Sequence, residues 1–271
     1  MTCENGQSSV PVVILCGGKG SRLTEETVTK PKPMVEIGNK PILWHIMKHY
    51  AHFGFCHFIL ALGYKGEYIK NYFYNYRLFS NDFTIHLHPE KDPLFHGVSD
   101  ESHWKITMVD TGWDTLKGGR IKRLESFIDC ETFHLTYGDG ISNHHLGHLL
   151  DFHLSHGKIG TVTGTHPPSR FGEMAIDGDR VIQFEEKPQL STGIINGGFF
   201  VFNRKIFDYL SSDCECDFEF GALQCLADEG QLKVFVHGGF WQCMDTIRER
   251  DYLNRLWDHG NPPWRIWTQP Q

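Results

Sequence analysis

Apolar positions run through this chain in two alternating rhythms. Continuous short runs of strand length occur at VVILC (12–16), HFILAL (57–62), FTIHLH (83–88), KITMVD (105–110) and TFHLTYGD (132–139). Between them lie stretches with helical spacing. PILWHIMKHYAHF (41–53) places Ile42, Ile46 and Tyr50 or Met47 on one face, and GEYIKNYFYNYRLF (66–79) reads as a second helix. Strands alternating with helices predict an α/β fold around a mostly parallel sheet, with right-handed crossovers.

The texture changes near residue 160. GTVTGTHP, EMAI, VIQFEEKP and INGGFFVF are short strands with little helix between them, which predicts a mixed or antiparallel extension of the same sheet. FEFGALQCLADEG (218–230) and TIRERDYLNRLWDHG (246–260) read as helices, each ending at a glycine suited to the position after a helix. No Ser/Gly/Pro-rich linker and no internal repeat divides the chain. One domain over 11–268 is expected after a disordered lead-in at 1–10. HPEKDPLFHGVSDESHWK (88–105) is a long polar loop, of the kind used for function or for reaching a neighbouring subunit.

A length of 271 residues suits one large domain, and a hydrophobic content of 40% with 22% charged residues is ordinary for a soluble protein. The net charge of −7 argues against non-specific nucleic-acid binding, which needs a basic face. It leaves room for a polyanionic small ligand where cations converge. No apolar run is long enough for a membrane span, and the polar MTCENGQSSV does not read as a secretory signal. The eight cysteines include Cys16 and Cys56 inside apolar runs, and the reading is of reduced thiols in the cytoplasm. Cys214 and Cys216 lack a second pair at zinc-finger spacing.

The first strand runs into CGGKGSRLTEETVTKPKPM (16–34). Open α/β sheets bind ligands beyond the carboxyl ends of their strands. Gly17, Gly18 and Gly20 allow a tight turn whose N–H groups make an anion nest, Arg22 adds a fork of donors, and Lys32 a point charge. The stretch reads as a polyphosphate cradle. Position 23 is leucine where a dinucleotide fingerprint needs glycine, and no G-K-[ST] ends a Walker loop. A solvent-exposed glycine turn with scattered lysines is the plainer alternative.

The whole stretch, GGKGSRLTEETVTKPKPMVEIGNKPIL, resembles the signature of the sugar-1-phosphate nucleotidylyltransferases. The likeness continues through VDTG (109–112), GGRIKR (118–123), TYGDG (136–140), RFGEMAI, FEEKP (184–188), INGGFF (195–200) and GFWQCMDTIRERDYL, in the order of the glucose-1-phosphate cytidylyltransferases among them. The resemblance implies a Rossmann-like three-layer α/β/α nucleotidyltransferase fold. Its sheet would be mixed and mostly parallel, with a small β-rich sugar-binding extension. The nucleotide part would span about 11–140, the sugar-phosphate part about 141–245, and a C-terminal helix about 246–260. It also implies CTP and glucose 1-phosphate as substrates and CDP-glucose and pyrophosphate as products. Mg²⁺ would be the cofactor, the assembly a trimer or hexamer, and the pathway role the supply of CDP-glucose for surface polysaccharide.

By the same resemblance Arg22 and Lys32 are the catalytic cations, on the triphosphate and near the α-phosphate. Asp139 and Asp245 hold the metal. Nucleotide contacts fall on Cys16, Gly17, Gly18, Gly20, Ser21, Thr111, Gly112, Gly118, Gly119, Arg120 and Asp139. Sugar-phosphate contacts fall on Gly172, Glu186, Lys187, Asn196 and Gly197. Each has a plainer reading. Asp139 could make an Asx turn, Asp245 or Thr246 could cap a helix, EEKP could be a charged turn, and GGRIKR a helix start with a solvated basic face, a reading preferred for Arg123. The spacing of 106 positions between the aspartates cannot show that they meet.

His144, His148 and His156 in NHHLGHLLDFHLSH invite a zinc reading. However, Leu146, Leu149, Leu150 and Leu154 form the apolar stripe there, so most of these histidines are expected in solvent. Four departures from the family pattern stand out: Cys16 for alanine, Cys243 for proline, Lys117 for a small or hydroxyl residue, and EMAI after R-F-G. The two cysteines are expected to alter packing only. Lys117 and Glu173 bear on base and sugar specificity.

Overall fold

A computed structural model describes residues 10–88, 91–167, 172–177, 180–186 and 193–267. Residues 1–9 of the expected lead-in, the RF of RFGEMAI, and Lys187 lie outside them. Seven strands form the central sheet: β1 (Val12–Leu15), β2 (His57–Leu62), β3 (Lys105–Asp110), β4 (Thr132–Tyr137), β5 (Gly160–Thr165), β6 (Ile195–Asn203) and β7 (Leu232–His237). Their order is β7-β5-β6-β4-β1-β2-β3. β1 pairs in parallel with β2 and β4, β2 with β3, and β5 with β7, whereas β6 runs antiparallel to both β4 and β5. The sheet is therefore mixed and mostly parallel.

Period-2 alternation along β1 explains the layers. Val12 and Ile14 join one apolar cluster, and Val13 and Leu15 the other, on opposite faces of the sheet. The first cluster takes α1 (Ile42–His52) and α3 (Leu146–His156), and the second takes α2 (Lys117–Lys122) together with 204–228. Because β4 lies on the far side of β1 from β2, the chain reverses direction across the sheet between β1 and β4. A crevice opens there beyond the carboxyl ends. The antiparallel β6 begins at this same edge, so Asn196 and Gly197 arrive beside Tyr137 and Gly138.

Several elements depart from the pattern-based reading. α1 buries Trp44, His45 and His49 besides the expected stripe: Trp264 and Trp267, with Trp257 of α4 (Ile247–Asp258), cover Trp44 and His45, while His144 and Phe199 cover His49. The 66–79 helix breaks into Gly66–Tyr74 and Tyr76–Ser80, where Asn75 turns its side-chain amide back onto the Asn71 carbonyl at 3.0 Å. Of FTIHLH only Phe83 and Thr84 are strand, in Asp82–Thr84, which pairs with Leu94–His96 in a separate ribbon. Its alternation is real, but Leu87 remains 93% exposed because no layer covers that face. The second half of the 88–105 loop docks on its own chain. Lys48 pairs with Glu101 at 2.7 Å, and Trp104 packs edge-on against Phe58.

Past residue 160, β5, β6 and β7 do extend the central sheet. Gly172–Asp177 and Arg180–Glu186 instead form their own antiparallel pair. The 218–230 segment opens as a π-helix, Phe218–Leu223, before Gln224–Asp228. The histidine expectation holds for the exposed His148 and fails for His144, which precedes α3 and is 2% exposed, while Leu154 of the expected apolar stripe is 61% exposed. Among the described residues no helix is long and apolar enough to cross a membrane.

Candidate active site

The chain leaves β1 at Leu15, and the Cys16 N–H bonds to the Ala61 carbonyl at 2.9 Å, carrying the β1–β2 pairing one residue past the sheet. The loop then closes on itself. Gly20, at φ +64°, receives the Leu23 N–H, and the Thr27 hydroxyl donates to the Leu23 carbonyl at 3.0 Å. Pro31 and Pro33 flank Lys32 in a single 3₁₀ turn, which sets Lys32 on the crevice wall with only 8% of its surface exposed.

Two distant aspartates meet at that lysine. The Lys32 ammonium donates to Asp139 Oδ2 at 2.6 Å and, more closely still, to Asp245 Oδ1. Burial alone would lower the lysine pKa, but the two carboxylates outweigh it and hold it above 10.5. Arg22, 72% exposed along its side chain, reaches back to Asp245 Oδ2 at 2.8 Å. Two carboxylates and two cations thus share one point, just past β4 and just before α4. Thr246, not Asp245, caps α4, in a capping box with Glu249. Glu249 also accepts the Asp245 N–H at 2.7 Å, which frees the Asp245 carboxylate for the crevice and fixes its backbone.

These groups line a cleft of about 500 Å³ together with Cys16, Gly17, Gly18, Gly20, Ser21, Arg120, Asn196 and Gly197. The cradle glycines differ in purpose. Gly17 lies so close to the Arg120 guanidinium that a Cβ would collide with it, whereas Gly18 has open space beside its α carbon among the described residues. Gly18 is therefore where a ligand can approach the backbone. Gly197 packs against the Thr163 carbonyl and accepts the Trp241 indole N–H at 2.7 Å.

The base-side residues lie behind the cleft wall. Thr111 is fully buried, and its hydroxyl donates to the Leu62 carbonyl at 2.6 Å. Gly112, at φ +94°, lends its carbonyl to Arg120 at 2.6 Å. Gly118 and Gly119 are bare because Cys216, Asp213 and Thr115 crowd their α carbons. None of these four lines the cleft. Arg120 does, yet its guanidinium is spent on the protein: Nη1 donates to Leu62, Thr111 and Gly112, and Nη2 to Gly17 at 3.0 Å and Trp113 at 3.1 Å. Arg123 is no solvated charge either, since it donates to the Thr111 carbonyl at 2.8 Å and to Ser212.

On the sugar side, Gly172 and Glu186 face each other as partners in the 172–186 ribbon. Cys16 fits the packing expectation. Cys243 does more, because its thiol, pushed up to about 12 by burial and then by the Glu249 and Asp245 charges, sits 3.7 Å from Asp245 Oδ2 as a donor. Tyr137, Lys117, Thr115 and Trp241 line the cleft without having been singled out as contacts. The only sequence signals for them were the place of Tyr137 at a strand end and the oddity of Lys117. The donor set at Asp139 and Asp245 is all oxygen, which suits a hard divalent cation completed by phosphate oxygens and water. Among the described residues no group of three His, Cys, Asp or Glu side chains could hold a metal.

Comparison with known proteins bears on the family and the fold. The nucleotidyl transferase family profile matches residues 11–253. The glucose-1-phosphate cytidylyltransferase of Salmonella typhi is 47% identical over 256 residues, covering 94% of this chain and 98% of the relative. The probable glucose-1-phosphate cytidylyltransferase of Bacillus subtilis (strain 168) is 46% identical over 255 residues, covering 94% and 99%. The crystal structure of HddC from Yersinia pseudotuberculosis superposes with a TM-score of 0.65 at 25% identity, covering 92% of this chain and 99% of that one. With its mixed seven-stranded sheet and its paired aspartates at the switch point, this chain belongs to the nucleotidyl transferase family.

Proposed function

We propose that this protein transfers a cytidylyl group from CTP to α-D-glucose 1-phosphate, giving CDP-glucose and pyrophosphate. The observation that carries the reading is 46–47% identity to glucose-1-phosphate cytidylyltransferases along nearly the full chain. The cluster of Lys32, Arg22, Asp139 and Asp245 supports it chemically. A sugar-phosphate oxygen attacks the α-phosphorus in line, and the protein's work is to hold two anions together and to stabilise charge on the leaving group. Lys32 and Arg22 supply cations for the phosphates, and the Gly18 backbone offers an approachable N–H. Asp139 and Asp245 would hold a divalent ion, Mg²⁺ in this reading, which when bound neutralises phosphate charge. Asn196 and Gly197, with Gly172, Glu186 and Lys187, are assigned to the sugar phosphate, and residues 11–140 to the nucleotide.

The reading places the enzyme in the cytoplasm, where the free thiols of its described cysteines stay reduced. It also takes the enzyme to be a trimer or hexamer, for which the exposed Tyr74, Phe79, Leu87 and Val98 offer apolar contact surface.

The test is pyrophosphate release with glucose 1-phosphate, Mg²⁺ and each of CTP, UTP, dTTP, ATP and GTP. Release with CTP alone is expected. Release with another nucleotide instead overturns the base assignment, and silence with all five overturns the activity. Asp139→Ala should abolish turnover while leaving the folded state intact, and normal turnover in that variant would remove the metal assignment.

A further inference from the structure

One chain of polar contacts crosses the cleft floor from the α2 side to the start of β6, and the proposed reaction leaves it unexplained. Glu219, in the π-helical turn Phe218–Leu223, accepts two bonds on the same oxygen. One comes from the Tyr137 hydroxyl at 2.6 Å, the other from the Lys117 ammonium at closer range. Lys117 also stands over the Tyr137 ring, 4.7 Å from its centroid. The Tyr137 hydroxyl in turn receives the Asn196 side-chain NH₂ at 3.3 Å, and the Asn196 carbonyl oxygen receives the Gly198 N–H at 2.8 Å.

The direction of each bond follows from the charged end. A carboxylate can only accept, so the single Tyr137 proton must go to Glu219. Burial and then the Glu219 charge push the phenol pKa up, so that proton stays in place. The tyrosine oxygen then has only lone pairs left for Asn196. The amide must present nitrogen to Tyr137 and oxygen to Gly198, and its second N–H is left over at the cleft wall. Gly198 is shaped for this arrangement. At φ +79° it leaves the space in which a Cβ would lie 2.7 Å from the Tyr137 ring.

We propose that Glu219 is a positioning residue: acting through Tyr137, it locks the Asn196 amide so that an N–H donor faces the sugar-phosphate side, where it reads a hydrogen-bond acceptor on the sugar. This rests on the functional reading above, since it assumes that a sugar 1-phosphate occupies that end of the cleft. Lys117 serves the same lock by neutralising Glu219, which gives a reason for the lysine that departs from the family pattern.

The experiment compares wild type, Glu219→Gln, Tyr137→Phe and the double variant, in pyrophosphate release and in calorimetric binding of glucose 1-phosphate. The substrates are glucose 1-phosphate and its 2-, 3-, 4- and 6-deoxy forms. Glutamine can donate to the tyrosine oxygen, which frees the phenol proton for the Asn196 oxygen and lets the amide turn over. Glu219→Gln is expected to raise KM for glucose 1-phosphate about tenfold, the scale of one hydrogen bond to a charged or well-placed partner. KM for CTP should change less than about threefold by the same scale. Tyr137→Phe should behave alike, and the double variant no worse than either single one. Wild type should discriminate against one deoxy sugar, and the variants should lose that discrimination. Variants that keep the wild-type preference among deoxy sugars, or that raise KM for CTP and sugar equally, overturn the proposal. A wild type that neither turns over nor binds glucose 1-phosphate overturns the functional reading and this inference with it. Turnover without any wild-type deoxy preference overturns the inference alone.

Discussion

Arg120 offers the sharpest division between a structural and a ligand-binding arginine, and Arg120→Lys is the change that separates them. Arg120 is 4% exposed, and its guanidinium donates to five oxygens, belonging to Leu62, Thr111, Gly112, Gly17 and Trp113. Those oxygens come from the ends of β1, β2 and β3, so one side chain ties three strand exits together. Burial, then the neighbouring Arg123 charge, pulls its pKa below the ordinary arginine value. A lysine brings at most three donors on a single nitrogen and cannot span the same arc. The Leu62 carbonyl keeps the Thr111 N–H and hydroxyl, and the Gly17 carbonyl keeps the Tyr64 N–H, so the carbonyls of Gly112 and Trp113 are the two at risk. At about 1–3 kcal/mol for each group left unsatisfied, the change should destabilise the fold by roughly 2–6 kcal/mol, toward the lower end because both carbonyls are only partly buried. Gly17 and Gly63 sharpen the expectation, because a Cβ at either would strike Arg120, so the space is shaped to a guanidinium. Urea unfolding reads the effect as a lower midpoint at unchanged slope. The reasoning is refuted if Arg120→Lys loses less than about 1 kcal/mol while KM for CTP rises, since that pattern belongs to an arginine whose donors serve a phosphate.

Other expectations follow from the same geometry. Gly17→Ala should lose about 2 kcal/mol or more, because the guanidinium must move, whereas Gly18→Ala should stay within about 0.5 kcal/mol and instead weaken CTP binding; equal melting shifts in the two would contradict the distinction drawn between them. Burial holds His45 and His153 at about 4 and His49 and His134 at about 3, below the 6.5 of the unfolded chain. The unfolded state therefore binds more protons below pH 6.5, and stability is full above that pH and declines as pH falls toward 3. The decline should reach about 1.4 kcal/mol per pH unit for each histidine. Urea midpoints at pH 7.5 and 5.5 check the sign, and a midpoint no lower at 5.5 would refute it.

What the sequence made legible, and what it hid, divides along one physical line. Strands and helices announce themselves through local period, and β1, β2, β3 and α1 all lie where the pattern puts them. The phosphate cradle was legible because glycines and cations are adjacent in the chain. Asp139 and Asp245 stand 106 positions apart, and only the return of the chain from β7 to α4 brings both onto Lys32. The missed residues share that property. Glu219 acts on Tyr137 from 82 positions away, and Trp264 covers His45 from 219 away. A motif also cannot say which of its members serve the ligand. Gly17 and Gly18 are identical neighbours, yet one is bare for an arginine of the protein and the other faces open space. The base-side residues behind the cleft wall follow the same logic. Thr111, Gly112, Gly118 and Gly119 sit in runs that mark the family, and their side of the fold demands small or hydroxyl residues for packing around Arg120 and the 213–217 segment. A sequence motif records every constraint acting on a stretch of chain, and here Gly17, Thr111 and Gly112 answer to Arg120, while Gly118 and Gly119 answer to Thr115 and the 213–217 segment.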